Sequence, residues 1–362
     1  MIRRLMLSSL AGAVLVGATA GVGAGDAATG ALVRSVEFIS KPYLVDRKYK
    51  SMTGPQSTQT IFLLDSPRKE LLWVTGFKAV MVGEDGVSPE SQEFMCHSNL
   101  DINMNLHRRL FGLERPAPNR MFTLSQGQQE IRFPEGFGIP MFSTEPFLLT
   151  TQVLNHNVEG RSLQVRHKVT VDFVRDIETK TPMKPLLQLS ANGLVLVDGK
   201  DGYFNIPNAD QEVHGPGCLV GQSATDASRL IPDQFGRRFT GHWLVKPGRE
   251  VNRTNVTRFL NLPFDTTIHY IAVHLHPFAE SLELRDLTED RTLFHSKVRP
   301  TEGKIGLDHV DYFSSVEGIL LRKDHEYELV SVYNNTSAED QDSMAVMYLY
   351  ALDHEFKRPE PS

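Results

Sequence analysis

The sequence predicts an all-β protein of antiparallel sandwich or jelly-roll type, on three observations. Helical periodicity is scarce along the 362 residues, short runs rich in β-branched and aromatic residues recur, and Pro- and Gly-rich breakers separate those runs. The runs read as strands are Thr58–Leu64, Leu71–Val82, Phe147–Leu154, Leu163–Val174, Leu187–Val197, Thr266–Leu275, Leu282–Leu287, Tyr327–Tyr333 and Met344–Leu352. Gly54-Pro55, Pro134-Glu135-Gly136, Asp198-Gly199, Gly215-Pro216-Gly217 and Pro247-Gly248 supply turns between them. Loop-like stretches at Thr179–Pro185 and Gly199–Gly221 set a boundary near residue 200, dividing the chain into units 25–200 and 201–362.

Apolar residues make up 40% of the chain, enough for a sizeable core, and the 23% of charged residues argues against disorder. The net charge of −6, from 38 basic and 44 acidic residues, lacks the basic surplus a nucleic-acid binder needs. Residues 1–24 read as a secretory signal peptide: Arg3-Arg4 form a cationic start, Leu5 to Ala24 is apolar or small, and Ala18-Thr19-Ala20 and Val22-Gly23-Ala24 offer cleavage sites. No later segment is apolar for long enough to span a membrane, so the expectation is a soluble periplasmic or secreted protein. In an oxidising compartment the two cysteines, Cys96 and Cys218, are able to pair if geometry allows.

The chemistry-bearing stretch is Thr267-Ile268-His269-Tyr270-Ile271-Ala272-Val273-His274-Leu275-His276-Pro277. Side chains alternate along a strand, so His274 and His276 share a face and their imidazoles can converge on one metal ion. His269, five positions earlier, points the other way and reads as a core or hydrogen-bonding histidine. With Glu280, the pair has the spacing of a cupin metal motif, although the glycines that flank that motif are absent. His242 reads as a buried hydrogen-bonding histidine, and Glu339-Asp340-Gln341-Asp342 as a solvated loop. Hydrolase and P-loop signatures (GxSxG, HExxH, GxxxxGK) do not occur.

Three further segments extend the pattern: Val245-Lys246-Pro247-Gly248, Tyr333-Asn334-Asn335-Thr336, and Asp342-Ser343-Met344-Ala345-Val346-Met347-Tyr348. Together with the HxH strand they resemble the C-terminal domain of the copper type II, ascorbate-dependent monooxygenases, the family of peptidylglycine α-hydroxylating and dopamine β-monooxygenases. The resemblance implies two jelly-roll-like sandwich domains and a copper ion held by His274, His276 and Met344, with Tyr348 in the active site. A thioether is a soft ligand suited to Cu(I), and imidazole suits copper in either oxidation state. Met347, three residues on from Met344, faces the other way along a strand.

In the first unit, His97 matches the second of the family's adjacent histidines, Cys96 stands in place of the first, and His156 is the available third ligand. A thiolate is itself a strong copper ligand, so Cys96 is a ligand, half of a disulfide or a small buried residue. The implied function is hydroxylation of a C–H bond with dioxygen and an external reductant, on a small-molecule or peptide substrate. The second copper would supply an electron across a solvent-filled gap between the domains. Ala272 and Val346 replace the arginine and asparagine of the peptide-amidating branch, so a glycine-extended peptide is not the expected substrate. The competing readings are a non-catalytic periplasmic copper-binding protein, a cupin-type metalloenzyme using Glu280, and a β-sandwich module whose histidines serve structure.

Overall fold

The computed structural model describes residues 20–196, 231–232 and 238–359, apart from 27, 52, 66–67 and 115–118. Cys218, most of the expected leader and the loop expected at 199–221 lie outside the described residues. The first half of the chain runs through β1 (Ala20–Asp26), β2 (Ala31–Ile39), β3 (Tyr43–Val45), β4 (Gln56–Ile61), β5 (Leu71–Gly83), β6 (Met95–Ile102), β7 (Arg120–Leu124), β8 (Glu130–Arg132), β9 (Phe137–Phe142), β10 (Phe147–Val153), β11 (Leu163–Arg175) and β12 (Lys184–Asn192). The second half adds β13 (Val195–Leu196), β14 (Ile231–Pro232), β15 (Arg238–Thr240), β16 (His242–Val245), β17 (Gly248–Asn255), β18 (Thr266–Leu275), β19 (Ala279–Asp286), β20 (Arg291–Pro300), β21 (Leu307–Val310), β22 (Phe313–Leu321), β23 (Tyr327–Asn335) and β24 (Gln341–Leu352).

The fold is all-β, of packed and mainly antiparallel sheets, in keeping with the sandwich the sequence predicts. A 12-stranded sheet runs β1-β2-β11-β5-β9-β12-β24-β18-β22, with β16 on β24, β3 on β11 and β8 on β5. A four-stranded sheet, β4-β10-β6-β7, covers one face of it, and the five-stranded β17-β23-β19-β20-β21 sheet packs on the second half from the other side. The halves join where β12 meets β9 in a parallel pairing of two residues and β24 in an antiparallel ladder of seven. Thus β12, which precedes residue 200, is hydrogen-bonded into the second half.

Local patterning explains the strands. Along β11, Val165, His167, Val169, Val171 and Phe173 point inward while the residues between them are less buried, the period-two signature of a half-buried strand. One helix, α1 (Met104–Phe111), interrupts the first half. Asn103 caps it by accepting from the Leu106 amide at 3.1 Å, and Gly112, with φ of 63°, ends it in a left-handed conformation that costs glycine nothing.

His167 is fully buried inside the first core, its Nδ1 2.9 Å from Ser98 Oγ and its ring edge-on to Tyr43. Burial pushes its pKa down to about 3, against the opposing effect of a backbone hydrogen bond at Gln152. Between pH 6.5 and 3 the unfolded chain therefore binds a proton here that the folded chain refuses. Stability is full above the unfolded pKa and falls as pH drops through it, by about 2 kcal/mol at pH 5 from this group. Urea denaturation at pH 7 and pH 5 should show a smaller acid loss for His167→Gln than for the parent, and equal losses would refute the assignment.

Candidate metal centre

Strand β24 is buried from Gln341 to Ala351, so its side chains divide between two cores. Met344, Val346, Tyr348 and Tyr350 enter the first core under the four-stranded sheet, whereas Ala345, Met347 and Leu349 enter the second. Asp342 has the parity of the first set and is 4% exposed. It lies within β24, not in the solvated loop expected of it: pairing with Leu244 on β16 draws it into the sheet.

Cross-strand partners share a face. On one flank of β24, His242 of β16 pairs with Met344. On the other, His274 of β18 pairs with Val346 and Ala272 with Tyr348. His276 follows directly after the end of β18. Its amide donates to the Tyr333 hydroxyl at 3.2 Å, and that hydroxyl donates to the carbonyl of Met344. Tyr333 thereby fixes the His276 backbone against β24.

The side chains converge. The ring of His276 stands 5.3 Å from that of His274 and 5.5 Å from that of His242, nearly perpendicular to the first. Asp342 Oδ2 lies 2.9 Å from His276 Nδ1 and 3.6 Å from His242 Nε2. The 2.9 Å approach is within ion-pair range but off the line a hydrogen bond requires, and both nitrogens of His276 and Asp342 Oδ2 are buried without a hydrogen-bond partner. One ligand atom each from His242, His276 and Asp342 lies within 4.8 Å of the others, so these residues form a possible metal-binding group.

Electrostatics sharpens the point. Burial raises the Asp342 pKa, but the imidazoles of His242 and His276 outweigh it and hold the carboxyl well below its usual range. Burial pushes His242 down, with Asp342 opposing. Burial also pushes His274 well down, and the charges of His276, Arg120 and His242 add to the effect. The result is a buried carboxylate beside the imidazole of His242, which burial holds against protonation.

The other sequence-selected residues surround this centre. His274 Nδ1 is 3.1 Å from Ser125 Oγ, just past β7. Met344 is on the same sheet face as Asp342 and His242. The Tyr348 hydroxyl accepts from Thr123 Oγ1 at 3.2 Å, inside the first core. His97 on β6 is buried, with Nδ1 3.4 Å from Cys96 Sγ and Nε2 lacking a hydrogen-bond partner. Burial lowers its pKa, and the charges of Arg120, His274, His167 and His276 add to the effect. Cys96 Sγ lies 4.0 Å from Gln152 Oε1. His156 follows β10 and is lowered by burial, with Asp342 opposing. Among the described residues, Cys96, His97 and His156 do not gather into a three-ligand group.

Sequence reasoning missed the roles of His242 and Asp342. The available signal was parity: Asp342 is two residues from Met344 and therefore on its face. His269 behaves as expected, with Nε2 2.8 Å from Thr267 Oγ1 and Nδ1 3.0 Å from the Ser315 carbonyl. Glu280 does not reach the histidines. It is exposed and bonds Arg249 and Asn334, which removes the cupin arrangement.

No protein-family model matches the chain, and no curated protein matches it. Solved structures similar to it include the STIV MCP, at 11% identity and TM-score 0.27 over 86% of this chain and 97% of that one. Another is the major capsid protein P2 from bacteriophage PM2, at 8% identity and TM-score 0.30 over 88% and 100%. At these scores the likeness assigns no role.

The monooxygenase expected from the resemblance is corrected. That reaction calls for two copper sites facing a solvent-filled gap. Here the same face is closed against the four-stranded sheet and the turn beyond it. Bonds from Thr123 to Tyr348, Ser125 to His274 and Gln128 to the Val273 amide cross between them, and His242, His274, His276 and Met344 are at most 4% exposed.

Gln128 makes one of these ties and adds another: its Oε1 accepts from the Val273 amide at 2.8 Å and its Nε2 donates to the Tyr270 hydroxyl at 3.3 Å. Gln128→Ala leaves a buried amide without its acceptor and should cost about 1–3 kcal/mol in urea denaturation. A loss within experimental error of zero would show that these bonds do not close the interface.

Proposed function

We propose that this chain is a metal-binding β protein whose buried centre takes one ion through His242, His276 and Asp342, locking β16, β24 and the end of β18 together. The observation that carries this reading is the meeting, in the buried interior, of two imidazoles and a carboxylate whose ligand atoms lie within 4.8 Å of one another. Such a donor set suits a late first-row transition metal, and divalent copper binds it most tightly of the series. We further propose copper as the ion, because the thioether of Met344, on the same face, adds a soft donor for the reduced state. The role is structural: among the described residues the three donors are at most 4% exposed in a packed interior.

Metal analysis of the full chain after loading with Cu(II), or with Zn(II), and desalting should give one ion per chain. Asp342→Asn and His276→Ala should each lose it. At free ion a hundredfold above Kd the parent should gain about 2.7 kcal/mol of stability, and the variants none. Retention of the ion by both variants, or no ion in the parent, would overturn the reading. Met344→Leu should weaken Cu(I) and leave Zn(II) binding unchanged. Equal loss for both metals would place the thioether's effect in packing.

Tyr333 acts through the backbone of His276 and not on the ion. Tyr333→Phe removes the link between the His276 amide and the Met344 carbonyl and should weaken metal affinity about tenfold, measured by competition with a chromophoric chelator. Unchanged affinity would mean that His276 holds its position without this link.

A further inference from the structure

We propose that the chain carries a saccharide-binding cleft, separate from the metal centre, in which Tyr312 is the stacking platform. The cleft is about 810 Å³ in volume and opens where the turn after β7, β8 and the β21–β22 connection meet, so both halves of the chain line it. That size lies within the range of about 300–1,000 Å³ common for small-ligand sites.

Tyr312 is 51% exposed, yet it is held in place. Its ring stacks on Tyr270 at 5.6 Å and 17°, and Tyr270 is in turn buried, with Phe133 edge-on at 5.8 Å. The Tyr270 hydroxyl accepts from Gln128 and donates to the Glu130 carbonyl at 3.4 Å. One face of Tyr312 is thus supported by a fixed aromatic pair, and the half-exposed residue lines the cleft. An ordered, half-exposed aromatic ring supplies a large contact area at small entropic cost on binding.

The charges around the platform balance. Lys78 pairs with Glu130 at 3.8 Å and Asp308 with Arg299 at 2.6 Å, while Arg132 and Glu135 add one charge of each sign. A balanced wall neither attracts a polyanion nor a polycation. It does offer donors and acceptors in number, with the amide of Gln129 beside them. A flat apolar face surrounded by balanced hydrogen-bonding groups fits a neutral sugar ring, which has C–H bonds on its face and hydroxyls at its rim. An extended chain of such rings would fill the cleft.

The test titrates the full chain calorimetrically with cellohexaose, chitohexaose, maltohexaose and mannohexaose. At least one should bind saturably. Tyr312→Ala should weaken that binding by at least about tenfold, and Tyr312→Phe by no more than about threefold, both with the parent's thermal midpoint and metal content. Absence of saturable binding to all four, or a Tyr312→Ala chain that binds within about threefold of the parent, overturns the proposal.

Discussion

A strand buried on both faces has to satisfy two interiors with one sequence, and β24 is the strand on which this molecule turns. It is hydrogen-bonded to β12, β16 and β18 and sends alternate side chains into different cores. A shift of one residue in its register would exchange the two sets, placing Asp342 and Tyr348 among the aliphatic residues of the second core and Met347 and Leu349 against the histidines. The alternation therefore fixes more than packing. It decides which ionisable groups meet.

What meets is a carboxylate and several imidazoles in the buried interior. Apolar burial drives the sheets together, and the same burial keeps the imidazoles of His97, His242 and His274 neutral. Asp342 remains ionised in that setting. Such a group is costly in a core unless compensated, and retaining it points to a purpose beyond packing. The surrounding hydrogen bonds, from Thr123 to Tyr348 and from Tyr333 to Met344, hold the frame in which that compensation is organised.

Much of the fold could be read from sequence because strands alternate and turns carry Gly and Pro. The runs at Leu71–Val82, Leu163–Val174 and Met344–Leu352 each lie within or nearly coincide with an observed strand. The short helix α1 was not foreseen, although Asn103 and Gly112 flank it with cap chemistry, since eight residues carry little periodic signal. The HxH pair was visible through strand parity alone. Asp342 was not, because an acidic run ahead of a strand looks like a loop until β16 pairs with it. The partner strand lies 100 residues away in sequence, between His242 and Asp342, and no local pattern announces that pairing. The family resemblance drew on residues of β18 and β24 but implied a reaction that their closed interior does not support. It carried over the ligands' positions without the open gap between the sheets.

The late position of β24 has a consequence for assembly. Its three neighbours, β12, β16 and β18, are all made earlier, and until residue 352 has been synthesised they lack the strand that joins them. Pairings this distant in sequence close slowly, and their unpaired edges stay exposed meanwhile. The histidines of β16 and β18 accordingly exist for a time as separate, solvated side chains, each too poor in partners to capture an ion. Insertion of the last strand buries the aspartate and gathers the histidines in one event, so a truncated or stalled chain would present no centre at all.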